Sequence, residues 1–323
     1  MNSKRTILQS LIARLWRSDK PLTAVGLLML AALAAFLVGL LVDPRTIAGA
    51  PPWLKPAKFA VSSAIYALTL AVVFTMLPSW RRTRLLVGWT TAVVFVIEVA
   101  IVAVQAWRGT TSHFNVSTPV DAILFAVMGL AILLQTLSSV FVATSLFREP
   151  LAQRAMGTAL RAGMVITIVG ASSAGLMTTP TRAQVVESRE TGHLRTSGAH
   201  TVGAPDGGKG LPGTGWSREH GDLRVPHFVG LHALQVLPIV ALIARRRRSD
   251  DGAVRVVRVA TVSYIALFAT LLIEALRGES LLAPGPMTFA LIVAWGVGTA
   301  AGLWSVSRRR GSAMPGFSAY VGA

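Results

Sequence analysis

The chain contains no cysteine, which removes disulfides, thiolate nucleophiles and cysteine-ligated metals from consideration. Acid is scarce: 14 Asp and Glu stand against 31 Lys and Arg, a formal charge of +17. Charge of either sign is scarce as well, at 14% of 323 residues, against about 25% in ordinary soluble chains. No HExxH, GxSxG or twin-carboxylate pattern occurs, so the familiar signatures of zinc proteases, serine hydrolases and glycosidases are missing. Strands with alternating apolar and polar residues are also missing, which excludes a membrane β-barrel.

What remains is apolar, 53% of the chain. About 20 apolar residues cross a bilayer core, and eight stretches qualify: 22–42, 57–77, 85–106, 120–147, 160–177, 226–244, 256–276 and 287–305. The sequence therefore predicts an all-α, polytopic membrane bundle of about eight transmembrane helices. Backbone groups in lipid have no other way to be satisfied.

The basic residues orient it. Twenty of the 31 Lys and Arg fall on alternate connections, among them Arg81, Arg82 and Arg84, Arg148 and Arg154, the run Arg245 to Arg248, and Arg308 to Arg310. Positive residues gather on the cytoplasmic side, so both termini are expected there, in a cell membrane. The basicity is thus a topology signal and implies no nucleic-acid partner; the partner it implies is the lipid bilayer. Trp53, Trp80, Trp107 and Trp304 sit near span ends, as interfacial rings do. Residues 1–21 carry Ile7, Leu8, Leu11, Ile12, Leu15 and Trp16 at helical spacing among basic residues, the pattern of a surface helix. The first long stretch exceeds a signal-peptide core and reads as a retained span.

The divisions expected are the surface helix 1–21, five spans over 22–177, an outer Gly-rich loop 178–225, three spans over 226–305 and a cytoplasmic tail 306–323. The loop is either a cap over the outer face or a floppy connector. Its Gly203–Lys209 spells GxxxxGK, but Gly210 stands where Ser or Thr is required and no strand precedes it, so it is not a nucleotide loop. Asn115-Val116-Ser117 is a glycosylation sequon in spelling only. Gly163 and Gly170 in the fifth span, and Gly298 and Gly302 in the eighth, are expected to meet neighbouring helices.

All six histidines, His113, His193, His200, His220, His227 and His232, fall on the side opposite the arginines. Ionisable groups inside spans are costly and need a reason. Glu98 aligns with Thr91 and Gln105 at spacings of seven, one helix face. His232 lies in the sixth span with Gln235 beside it. Lys58 and Tyr66 share a stripe of the second span with Ser62 and Thr69, and Asp121 opens the fourth. Glu274 and Arg277 are spaced to pair along the seventh. These placements predict an outward-opening polar pocket. Glu98, His232, His113 and His227 are its candidate acid–base residues. Arg108, Asn115, Asp121, Arg224, Lys58, Tyr66 and Gln105 are its candidate binding residues for an anionic small molecule or lipid head group. His193, His200 and His220 are expected to be solvated.

Three functions compete. The first is a membrane enzyme, with a haem or divalent metal held between helices as one version of it. The second is a proton-coupled transporter, and the third a non-catalytic scaffold. A two-haem path across the membrane is disfavoured, because no histidine lies in the inner half. Oligomeric state is not encoded in any feature of the chain.

Overall fold

The computed structural model describes residues 2–308; the expectations for Arg309, Arg310 and the tail beyond lie outside the described residues. The elements are α1 (Asn2–Ser18), α2 (Lys20–Val42), α3 (Leu54–Phe74), α4 (Arg81–Trp107), α5 (Pro119–Arg148), α6 (Arg154–Ser172) tightening into a 3-10 turn (Ser173–Thr178), α7 (Arg182–Thr191), β1 (Thr201–Val202), β2 (Gly221–Asp222), α8 (Arg224–Leu231), α9 (Ala233–Arg247), α10 (Asp250–Leu276) and α11 (Pro286–Arg308). Among the described residues, seven helices are long and apolar enough to cross a membrane, eight if the bent pair α8–α9 is one span. The fold is an all-α membrane bundle.

Helix starts follow local chemistry. Asp19 caps α2 by accepting from the Leu22 amide at 2.9 Å, with Pro21 in the first turn. Thr118 caps α5 ahead of Pro119, and Ser249 caps α10. Such caps satisfy amides that the helix itself leaves open. The outward faces are strongly apolar, as at Leu41, Leu85, Phe141 and Phe147, which is the surface a lipid-facing bundle presents.

Contacts between helices define two ends. At one, Arg84 donates to the Ser18 carbonyl, Trp80 to Glu149, Arg161 to the last carbonyls of α5, and Arg154 to Asp251. At the other, Arg45 reaches the Trp107 carbonyl and Trp53 donates to Asp43. The first end holds the arginine clusters of the α3–α4, α5–α6 and α9–α10 connections, and the second the histidines. α11 packs against α10. There Gly302 meets Val259, whereas Gly298 faces open space, so only one of that expected pair makes a close contact.

Two spans differ from their expected form. The fifth ends as an α-helix at Ser172 and finishes as a 3-10 turn. The sixth is two helices, bent by 46° at His232. Pro238 lies within α9 and denies its first turn a donor to the Leu234 carbonyl. The break is patched from α6: Thr167 Oγ1 accepts from the Leu234 amide at 3.2 Å and donates to the Leu231 carbonyl at 3.3 Å. On the same face of α6, a Cβ added at Gly170 would lie 2.5 Å from Gly230, and one at Gly163 would lie 2.9 Å from the Ala233 carbonyl. Two backbones in near contact let one threonine serve both sides of the break.

The segment 178–225 has structure of its own and bonds to neighbouring loops, forming a cap. α7 carries a capping box between Thr181 and Gln184, β1 pairs antiparallel with β2, and Ser197 and Val116 exchange backbone bonds with Phe114 and Arg195. Ser280, after α10, donates to the Arg218 carbonyl.

Gly170→Val is expected to destabilise the bundle by about 1–3 kcal/mol through overpacking. The reading is a lowered thermal midpoint in detergent by circular dichroism. Gly129→Val, where nothing lies within 4 Å, is the matched control. Equal midpoints for the two variants would contradict the close crossing.

Candidate functional site

The site grows from the loop between α4 and α5. Thr91, Glu98 and Gln105 are all buried on α4, so the seven-residue spacing does mark an inward face. Gln105 Nε2 and Arg108 Nη1 both donate to Asp121 Oδ1, at 2.8 and 2.7 Å, and Thr118 donates to the other oxygen at 2.6 Å. This network clamps the end of α4 to the start of α5. Asn115 spends its carboxamide on Thr110, Thr111 and Ser117. Phe114 adopts φ 63°, a left-handed conformation that costs a side-chain-bearing residue roughly 1–2 kcal/mol. The turn sends His113 down into the bundle.

There His113 Nε2 approaches Glu98 Oε1 at 3.6 Å, a close polar contact beyond hydrogen-bond range that becomes an ion pair only when the imidazole is protonated. Nδ1 of the same ring meets Ser112 Oγ at 3.1 Å, and Phe59 stands edge-on at 5.3 Å. Burial pushes the His113 pKa well below its ordinary value, and the nearby positive charge of Lys55 pushes it the same way. The second Glu98 oxygen is buried without a hydrogen-bond partner. Glu98 lies nine residues before the end of α4, a depth of about 14 Å.

The cap supplies the roof. His200 Nδ1 bonds Asp206 Oδ2 at 2.7 Å, and Asp206 also accepts from the amides of His200 and Thr201. An aspartate so placed orients the ring and leaves Nε2 as the free nitrogen. His200 packs edge-on to Phe114 at 4.8 Å. Its pKa is lowered, with burial as the largest cause and the opposing Asp206 bond second. Lys58 donates to the Thr214 carbonyl at 2.9 Å and Arg224 to the Gly215 carbonyl at 2.7 Å. Arg224 is also paired with Asp222 at 2.5 Å. Trp216 packs edge-on to Phe228, and Phe228 edge-on to His232. His227 Nδ1 lies 2.7 Å from the Gly170 carbonyl, so that nitrogen carries the proton.

One cation in this group is left without a partner. Lys55, in the first turn of α3 and half-buried, makes no hydrogen bond or ion pair among the described residues. The charges acting on it are those of Arg224, Glu98, Lys58 and Asp206.

Several expected roles need correction. Arg108, Gln105, Asp121 and Asn115 are committed to one another or to their own loop rather than open to a ligand. Arg277 pairs with Glu279 at 2.5 Å, not with Glu274, because the helix gives way to a turn at Gly278 and carries the acid round to it. One oxygen of Glu274 is buried without a partner. Tyr66 bonds Ser139 at 2.9 Å; twelve residues into α3, it lies about 18 Å along the helix and outside the outer half. His232 does not meet Glu98: its Nδ1 lies 3.3 Å from Gln235 Oε1, and Gln235 donates to Thr69. His200 is half-buried, not solvated, whereas His193 is exposed as expected. The residues missed were Lys55, His200, Asp206 and Asp222. Lys55 had a signal, since it falls one helical turn before Lys58. The other three are placed by loop contacts that no periodicity reports.

Among the described residues, no three His, Asp or Glu side chains are grouped to hold a metal ion. The chain matches no protein-family model, no curated protein and no solved structure.

Two histidines with lowered pKa values make the cap sensitive to acid. A group whose folded pKa lies below its unfolded value stabilises fully above the latter, here 6.5, and loses that contribution as pH falls. Hydrogen exchange of residues 197–206 should therefore accelerate, beyond its intrinsic rate, as pH drops below about 6.5. His200→Asn should flatten most of that dependence. Protection that stays constant to pH 5 in the wild type would contradict the assignment.

Proposed function

We propose that this multi-pass membrane protein carries, at its histidine end, an acid–base site for an anionic group such as a phosphate or carboxylate. The arginine distribution supports reading that end as the one outside the cytoplasm. The reading is a membrane enzyme whose substrate enters beneath the 178–225 cap. Lys55 binds the anion as a compact point charge. His200, oriented by Asp206, and His113, beside Glu98, move protons. His227, its Nδ1 held by the Gly170 carbonyl, presents Nε2 to the same region. Arg224 and Lys58 hold the cap closed through Gly215 and Thr214 rather than touching the ligand.

The observation that carries this reading is the bare Lys55 ammonium, close enough to His113 and to the Asp206-oriented His200 to act on their charges. A half-buried cation without a counterion is a place where an anion gains most.

A second reading has its own support. The bend at His232 and the string His232–Gln235–Thr69 lead below the site, and broken helices mark ion paths in transporters. Proton flux into proteoliposomes that is lost in Glu98→Gln would favour transport over turnover.

The test is acylation of Lys55 by a water-soluble N-hydroxysuccinimide ester, followed by peptide mass spectrometry. Inorganic phosphate or acetate should slow labelling of Lys55 several-fold. Lys209, whose side chain is 80% exposed, should label at the same rate with and without them. Lys55 labelling that ignores both anions would overturn the proposal.

A further inference from the structure

The opposite end of the bundle holds a cavity that the histidine site does not explain. It measures about 370 Å³ and is lined by Arg247, Arg248, Ser249, Gly252, Arg255 and Val306. It lies where α9 ends, α10 begins and the last turn of α11 passes. Three arginines line it and, among the described residues, no carboxylate does.

The surrounding charges are accounted for one by one. Arg248 is held in the wall, donating to the Val306 carbonyl at 3.4 Å and to Ser307 Oγ at 3.3 Å. Asp251 is taken by Arg154 at 2.6 Å. Arg245 is taken by Gln153, and Arg308 lies over the Trp304 ring. Asp250 is exposed in the first turn of α10. Arg255 makes no hydrogen bond among the described residues, and its Nε is buried without a partner. A buried guanidinium N–H without an acceptor is costly.

We propose that this cavity is a binding site for a phosphate-bearing anion. Phosphate oxygens accept from forked guanidinium donors two at a time, and one such group would satisfy Arg255 Nε while neutralising Arg247 and Arg248. The last carbonyls of α9 oppose an anion here, and three full positive charges outweigh their partial ones. Leu242, Ile243, Leu303 and Trp304 flank the site and are exposed, so acyl chains have a surface to follow from the cavity into lipid. The shared chemistry is a phosphate ester or free phosphate, from an anionic lipid head group or from solution.

The test uses the full chain, delipidated in detergent, with native mass spectrometry against phosphatidylglycerol, phosphatidylcholine and inorganic phosphate. The wild type should retain phosphatidylglycerol in preference to phosphatidylcholine. The Arg248→Gln/Arg255→Gln double variant should lose affinity by about thirtyfold, the worth of two cations near an anionic lipid. Arg246→Gln, an exposed neighbour outside the cavity lining, should keep it. Displacement of the lipid by millimolar phosphate identifies a small-anion site. Displacement by anionic lipid alone identifies a head-group site. Equal retention of the two lipids by the wild type would overturn the proposal without recourse to any variant. So would undiminished retention by a double variant that melts like the wild type.

Discussion

A carboxyl group about 14 Å below the end of a membrane helix has no water to fall back on, and the histidine end of this bundle is shaped around that fact. Glu98 receives its nearest ionisable partner from a loop, not from a neighbouring helix. To deliver His113 to it, the loop must turn sharply, and Phe114 accepts a left-handed backbone to do so. The turn is affordable because both its flanks are fixed: Arg108, Gln105 and Asp121 lock the helix ends, and Asn115 knots the loop itself. Groups that look like ligand-binding residues in the sequence are the fixtures that hold the site in place.

The same constraint explains the roof. Once His113 and Phe114 occupy the mouth of the bundle, His200 packs on Phe114 and Asp206 fixes His200. Lys58 and Arg224 then bind the carbonyls at Thr214 and Gly215, so the cap is tied to α3 and α8 by the strongest donors present. Below it, the bend at His232 would leave backbone groups open in hydrocarbon. The paired glycines of α6 and α8 bring Thr167 close enough to close them. Among the cations beneath the cap, Lys58 and Arg224 are tied and Lys55 is not, which is why it defines the site.

The fold was legible because its signals are long and local. Continuous apolar runs specify spans, and the arginine clusters do map to one end of the bundle. Glu98 and His113 were legible as well, one as an acid inside a span, the other as a histidine beside it. The bend in the sixth span was partly written in Pro238. What could not be read was pairing across distance. Whether Arg277 turns to Glu274 or Glu279 depends on where a helix ends, which spacing alone leaves open. His200 and Asp206 look like solvated loop residues until the loop is seen to pack on Phe114. Depth also escaped: Tyr66 shares a stripe with Lys58 yet lies about 12 Å, roughly two turns, deeper.

The claim on which all of this depends is that Glu98 and His113 act as a pair. A double-mutant cycle of Glu98→Gln and His113→Gln, read as unfolding free energy in detergent, measures that directly. A coupling energy of about 0.5–3 kcal/mol is the result this account predicts. Strict additivity of the two substitutions would contradict it.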